Sequence, residues 1–348
     1  MKKGFATVAQ LTAFDEIIDA RSPAEFAEDR IPGAVNCPVL DNEQRAEVGT
    51  IYVQQSAFEA RRIGAAMVAE NIARHLRMQF HDRPRTWRPL VYCWRGGQRS
   101  GSFVTWLRLI GWDACQLEGG YKNWRRLVVT ELAQLPAHLD FRVLCGATGS
   151  GKTRILEALR AQGAQVLDLE DLAAHKGSVL GGLRERPQPT QKAFETALFN
   201  VLRTFDPARP VFVEAESRKI GRIHLPDALL GRMRESACVA IEATREARLE
   251  FLVRDYAYLG DDVTDLQVKI GLLKGLQSNE TIVRWTELAA RRELPTLFGE
   301  LIELHYDPLY GRSQNRNFTR FPEAPVFATA DLSAEGVARL ARDILAGS

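Results

Sequence analysis

Phe141-Arg142-Val143-Leu144-Cys145-Gly146-Ala147-Thr148-Gly149-Ser150-Gly151-Lys152-Thr153 is the stretch that decides how this chain folds. An apolar run ends in glycines at 146, 149 and 151, and a helical pattern over 152–161 begins at once. The glycines let the backbone turn tightly and point several N–H groups inward, while Lys152 adds a charge at the N-terminus of the helix. A cradle of that kind binds phosphate. Gly146, Ala147, Thr148, Gly149, Ser150, Gly151, Lys152 and Thr153 are therefore the expected phosphate-binding residues, and Thr153 offers a hydroxyl to Mg²⁺ when the bound group carries one. The match to GxxxxGK[ST] is complete and sits in the strand-to-helix context that gives the pattern its meaning.

Outward from this loop, β-rich runs at 165–168, 211–214 and 237–241 alternate with helical patterns, which implies an α/β core with a mainly parallel sheet. The phosphate-loop domain is expected to start near Leu139 and to occupy 139–348, with a helical extension from about 245. The helical pattern lasts to about 304 and gives way to a polar, arginine-bearing stretch over 305–321. Binding phosphate is not the same as hydrolysing it, which calls for a carboxylate to hold metal or water. Glu214 and Asp168, at strand ends, are the expected acid or metal contacts, with Glu216, Glu170 and Asp171 nearby; no metal site is firmly assigned. A strand-end carboxylate serves equally well to cap the next helix. Arg245 and Arg248 either reach a diphosphate as lid arginines or line a solvated helix face.

A second loop, Cys93-Trp94-Arg95-Gly96-Gly97-Gln98-Arg99-Ser100, follows the apolar strand 90–93 and leads into a helix over 102–110. Backbone amides and the helix N-terminus surround the sulfur with partial positive charge, which favours thiolate. Cys93 is the expected catalytic residue, and Trp94, Arg95, Gly96, Gly97, Gln98, Arg99 and Ser100 form its chalcogen-binding loop. Arg95 and Arg99 add charge suited to a phosphate-like donor. Around it lie a strand at 14–20, a capping box at Ser22-Pro23-Ala24-Glu25, a turn at 31–34 and a long helix at 58–78. A strand ending at Leu117, Gly119-Gly120 and a final helix through Trp124 complete a second α/β domain over 1–135, joined to the other by a linker at 134–140.

With 348 residues, each half is long enough to bury its own core. Lys+Arg 46 against Asp+Glu 44 gives a net charge of +2, so a nucleic-acid face must be local. Cys37, Cys93, Cys115, Cys145 and Cys238 show no CxxC spacing, which argues against a zinc site and a disulfide framework; the four besides Cys93 read as small buried hydrophobes. The N-terminus has no uninterrupted apolar core and no stretch approaches the roughly 20 apolar residues of a membrane span, so a reducing cytoplasm with no membrane partner is expected.

Ile18-Asp19-Ala20-Arg21, Glu25-Phe26, Ile31-Pro32-Gly33-Ala34-Val35-Asn36, the Cys93 loop and Glu118-Gly119-Gly120-Tyr121 resemble rhodanese domains. Together with the phosphate loop, Val48-Gly49-Thr50-Ile51-Tyr52, the stretch from Val213 to Gly221 and His305-Tyr306-Asp307-Pro308-Leu309-Tyr310, they make the whole chain similar to the bacterial tRNA 2-selenouridine synthase family. That resemblance implies a transferase that converts wobble 2-thiouridine of tRNA to 2-selenouridine through an S-geranyl intermediate, with geranyl diphosphate and selenophosphate as co-substrates. Within that scheme we infer that the phosphate loop seats the departing diphosphate, with Mg²⁺ as a companion, and by analogy Cys93 serves the selenium step, either as a perselenide carrier or by positioning selenophosphate. The resemblance also gives Arg312, Arg316 and Arg320 a role in tRNA contact. Tyr306, Tyr310, Phe318 and Phe321 would then stack on unpaired anticodon-loop bases or sit in the core.

Two other readings keep the same motifs. In one, an ATP-dependent tRNA sulfurtransferase or kinase hydrolyses ATP at the phosphate loop and takes sulfur from the thiol loop. In the other, a nucleotide-regulated binding module carries an inert thiol domain, and Cys93→Ala changes nothing.

Overall fold

In the computed structural model, residues 4–178, 181–182 and 185–347 are described, the side chains of 311–313 and 315 excepted. The chain divides into two compact units, 1–131 and 132–348. In the first, β1 (Phe5–Ala6), β2 (Glu16–Asp19), β3 (Val35–Asn36), β4 (Pro89–Tyr92) and β5 (Cys115–Leu117) form a parallel sheet in the order β1-β5-β4-β2-β3. Helices α1 (Pro23–Glu28), α2 (Asn42–Gln54), α3 (Ala57–Met78), α4 (Gln98–Ile110) and α5 (Gly120–Gln134) complete it. β4 is buried at every position, as a central parallel strand must be, and its C-terminal end delivers Cys93.

Local chemistry fixes several boundaries. Ser22 and Glu25 form the reciprocal capping box at α1 with Pro23 in its first turn, as their spacing requires. α4 starts directly out of the thiol loop, four residues earlier than the 102–110 pattern indicates. α2 was not legible beforehand: only Ile51 of its thirteen residues is buried, so no apolar stripe announces it.

The second unit holds β6 (Phe141–Gly146), α6 (Lys152–Ala161), β7 (Gln165–Leu167), α7 (Leu169–Ala173), α8 (Gln191–Leu202) and β8 (Val211–Glu214). A small hairpin, β9 (Lys219–Ile220) with β10 (Ile223–His224), precedes α9 (Asp227–Glu235) and β11 (Ala237–Ala243). Then come α10 (Arg245–Asp255), α11 (Val263–Gly271), α12 (Asn279–Ala290), α13 (Leu294–Leu301) and α14 (Asp307–Asn317), followed by β12 (Val326–Thr329) and α15 (Ala334–Ala346). The sheet is parallel in the order β12-β11-β6-β8-β7, so β6 lies at its centre and connections leave it to both sides. Ligands bind outside the strand ends at such a switch point, which is where the phosphate loop stands.

Two expectations change here. The helical pattern does not stop near 304: α13 continues through a π-helical turn, Ile302–Tyr306, into α14, which takes the polar stretch as far as Asn317. The helices from 245 are not a C-terminal extension but an insertion, because β12 returns to pair with β11 and α15 packs on α6 through Val337, Leu340, Ala341 and Ile344. The inserted helices have their own core around Trp285, Leu266, Ile270, Leu297 and Leu301.

Candidate functional site

Gly146 closes β6 and Gly151, at φ +73°, caps α6, so the loop turns through left-handed backbone that residues with a side chain rarely adopt. The amide of Ser150 donates to the Ala147 carbonyl at 3.1 Å, and Lys152 Nζ donates to the Gly146 carbonyl at 2.9 Å, so the ammonium lies across its own loop. Gly149, at φ +85°, would carry a Cβ 3.0 Å from Leu252, so glycine there lets α10 approach the loop. Arg248 of α10 is buried, donates from Nε to the Thr148 carbonyl at 2.9 Å and pairs with Asp307. It braces the loop against α14, whereas Arg245 is exposed and paired with Glu303 at 2.9 Å.

Parallel pairing of β6 with β8 sets Leu144 opposite Glu214 and brings that carboxylate beside the loop. Glu214 is 4% exposed, and its Oε1 has no hydrogen-bond partner. Carboxylate oxygens of Glu170, Glu214 and Glu216 lie within 4.8 Å of one another, and Thr153 Oγ1 donates to Glu170 Oε2 at 3.3 Å. Burial, and then the charges of Glu214 and Glu216, push the Glu170 carboxyl up to about 9. Burial followed by the Glu214 charge pushes Glu216 up to about 8, and burial raises Glu214 as well. Asp168 is not one of this group. Its carboxylate caps α7, accepting from the Asp171 amide at 2.8 Å.

Loop and carboxylates open on a cavity of about 470 Å³ lined further by Phe251, Leu252, Tyr256, Tyr306, Tyr310 and Phe318 and by the polar side chains of Arg154, Lys176, Asp255, His305 and Gln314. A smaller pocket of about 20 Å³ adjoins it, bounded by Thr148, Ser178, Leu252, Tyr256, Phe298, Leu301 and Tyr306. Lys176 Nζ lies 4.4 Å from the Tyr256 ring centre and donates to Asp255 at 2.8 Å. Tyr306, Tyr310 and Phe318 thus line this cavity rather than standing out as a stacking platform. Arg316 is exposed, Arg320 is exposed and 3.7 Å from Glu323, Phe321 is half-buried, and the Arg312 side chain lies outside the described residues.

In the first unit, Cys93 is 3% exposed, and its Sγ accepts from the Gly97 amide at 3.3 Å and the Ser100 hydroxyl at 3.1 Å. Gln116 Nε2 donates to Ser100 Oγ and to the Gly97 carbonyl, each at 2.9 Å, holding that hydroxyl toward the sulfur. Gly120 lies under the loop: at φ +58°, a Cβ there would stand 2.2 Å from the Cys93 carbonyl oxygen. Arg95 is exposed, but Arg99 is not the free cation its position indicates, because Glu25 accepts from it at 2.7 Å. Trp94 packs at a tilt, ring centres 5.3 Å apart, against Tyr121, which covers the buried Arg21 at 3.9 Å and donates to Asp29 at 2.7 Å. Gln98 is exposed at the first turn of α4. Gln116 escapes a reading along the chain because only the pairing of β5 with β4 brings it to the Cys93 loop, whereas Glu25 and Tyr121 stand in sequence motifs that do not disclose their contacts.

The family profile described as the tRNA 2-selenouridine synthase AAA domain matches residues 139–284, and that of the rhodanese-like domain matches 6–127. A protein of Nitrosomonas europaea named tRNA 2-selenouridine synthase is 38% identical over 247 residues, which cover 69% of this chain and 63% of that protein. One of the same name from Cupriavidus pinatubonensis is 37% identical over 272 residues, 77% of this chain and 72% of that one. The match thus spans less than two thirds of the Nitrosomonas protein's own length. A solved rhodanese-related protein from Thermoplasma volcanium is 19% identical, covering 35% of this chain and 90% of that chain, with a TM-score of 0.23. Among the described residues no helix is long and apolar enough to cross a membrane.

Proposed function

Since the chain belongs to the tRNA 2-selenouridine synthase family, we propose that it exchanges sulfur for selenium at carbon 2 of a tRNA wobble uridine, in two steps on one base. In the first, the thiocarbonyl sulfur attacks C1 of geranyl diphosphate, the C–O bond breaks, diphosphate departs and the base loses its N3 proton. In the second, the selenium of selenophosphate attacks carbon 2, geranyl thiolate leaves, and water cleaves the Se–P bond to give phosphate. Neither step needs an oxidant.

The observation that carries this reading is the cavity with two kinds of wall. Opposite the phosphate loop, Phe251, Leu252, Tyr256 and Tyr306 gather on one side of the cavity, while Arg154, Lys176, Asp255, His305 and Gln314 supply further polar lining. The apolar side suits a diphosphate with a hydrocarbon tail, each buried methylene contributing about 0.8 kcal/mol. The loop amides and Lys152 meet the charge that grows on the leaving diphosphate, and fixed donors of that kind act most strongly in the transition state. Mg²⁺ fits the same end, where Thr153 and Glu214 would hold it, and when bound it supplies charge neutralisation to the diphosphate.

Cys93 serves the selenium step. A perselenide on it would require selenium to leave selenophosphate as a neutral atom, with two electrons remaining on phosphorus. Direct attack by selenophosphate avoids that redox step, with Cys93 positioning the donor and the loop amides and Arg95 suited to its phosphoryl end.

Purified protein incubated with 2-thiouridine tRNA, geranyl diphosphate and selenophosphate should yield selenated nucleoside by mass spectrometry of the digest. Cys93→Ala should accumulate the S-geranyl nucleoside and lose at least a hundredfold in selenation, and Lys152→Ala should lose geranylation to a similar extent. Normal geranylation by Lys152→Ala would sink the loop assignment, and ATP turnover indifferent to geranyl diphosphate would favour an ATP-driven sulfurtransferase.

A further inference from the structure

Glu170 and Glu216 have no place in the phosphate-loop pattern. A phosphate-loop protein that meets its cation together with a nucleotide holds it through the loop hydroxyl, one strand-end carboxylate and the phosphates themselves. Here three carboxylates converge, their oxygens within 4.8 Å of one another. Topology brings them together: Glu214 ends β8, Glu216 follows two residues on, and Glu170 opens α7 after the neighbouring β7.

A group of acids is common on proteins and is not in itself a site. Three further observations separate this one. Glu214 is 4% exposed, yet its Oε1 has no hydrogen-bond partner, and leaving a buried acceptor unpaired is costly. Lys152 is the nearby cation that acts on all three carboxylates, and its ammonium donates to the Gly146 carbonyl. Gly177, at φ +59°, seats its backbone against the group so closely that a Cβ would stand 2.3 Å from Glu170 Oε1 and 3.2 Å from Glu216 Oε1.

We propose that Glu170, Glu214, Glu216 and the Thr153 hydroxyl form a resident divalent-cation site, which fills before any diphosphate arrives. All four donors are hard oxygens, the set that suits Mg²⁺ or Mn²⁺. Four protein donors would leave a six-coordinate cation two further positions, the number a bidentate diphosphate takes. A dication together with Lys152 balances the three carboxylates. The use of the cation rests on the diphosphate reading of the cavity; its binding does not.

The test is a titration of the full-length chain, stripped with chelator, with Mn²⁺ followed by electron paramagnetic resonance and no diphosphate present. One Mn²⁺ should bind per chain and be displaced by Mg²⁺. Glu170→Gln, Glu214→Gln and Glu216→Gln should each weaken binding at least tenfold, while Asp171→Asn, outside the group, should stay within twofold. A parent chain that takes up no Mn²⁺ until inorganic diphosphate is added overturns the proposal, whatever the variants do. Glutamine variants that bind as tightly as the parent overturn it too. A chain that binds Mn²⁺ but makes no geranylated nucleoside defeats the reaction and leaves the site standing.

Discussion

Glu214 ends a strand buried at all four of its positions, where most proteins place an apolar side chain. With Glu170 and Glu216 it makes the protein's stability depend on pH in a particular sense. Their folded-state affinities for protons exceed the usual carboxylate value near 4.5, reaching about 9 for Glu170 and about 8 for Glu216. The folded chain therefore holds more protons than the unfolded chain between about 4.5 and 9, so stability falls as pH rises through that window. In chelator, the melting temperature of the parent should fall from pH 5 to pH 9 more steeply than that of Glu170→Gln, and saturating Mg²⁺ should flatten the difference. Equal slopes for parent and variant would contradict the convergence of the three carboxylates. Glu216 was legible in the sequence, since a residue two beyond Glu214 returns to the same side of an extended segment. The position of Glu170 was not, because its approach depends on β7 lying beside β8, and Asp168 was the misleading neighbour because strand-end acids serve as caps as readily as ligands.

Among the elements, α10 and the π-helical turn do most to shape the cavity. α10 contributes Phe251 and Leu252 to its wall and Arg248 to the loop, and the turn contributes Tyr306. A π-helical turn shifts side chains around the helix axis and is frequent at functional sites. If this wall holds a ten-carbon tail, a five-carbon dimethylallyl diphosphate forfeits about five methylenes of burial, up to roughly 4 kcal/mol at about 0.8 kcal/mol each. The parent should prefer geranyl over dimethylallyl diphosphate by roughly a hundredfold or more in kcat/KM, and Leu252→Ala should cut that preference about tenfold, in line with a loss of ~1.4 kcal/mol. Competition assays read by nucleoside mass spectrometry measure both ratios; an unchanged ratio in Leu252→Ala moves the tail elsewhere. Helical periodicity announced α3 and α6, whereas β12 was silent: four residues, none of them buried, give little alternation to read.

At the scale of the whole molecule, two units carry two loops, and the proposed reaction is sequential on a tRNA that is free to diffuse. An equimolar mixture of Cys93→Ala and Lys152→Ala proteins should then restore selenation that neither achieves alone, because one releases the S-geranyl tRNA that the other consumes. Selenated nucleoside in the digest of the mixture, at a tenth or more of the parent yield, is the expected result; none would mean that the intermediate never leaves. Both loops and both α/β cores were legible, since glycine spacing and buried apolar runs are local signals. The division at Leu132 was not, because the expected linker is part of a continuous run from α5 into a short 3₁₀ helix, Leu135–His138.

That β12 and α15 return to the phosphate-loop sheet after the inserted helices also bears on how the chain is born. On the ribosome, β6 and its glycine loop emerge nearly two hundred residues before Ile344, the residue whose burial with its neighbours covers one face of α6. The nascent sheet must wait, with an edge of β11 unpaired, while the inserted helices condense around Trp285 in the interval. The insertion is thus a timer as well as a wall: the longer it takes to leave the exit tunnel, the longer an open edge is offered to the wrong partner.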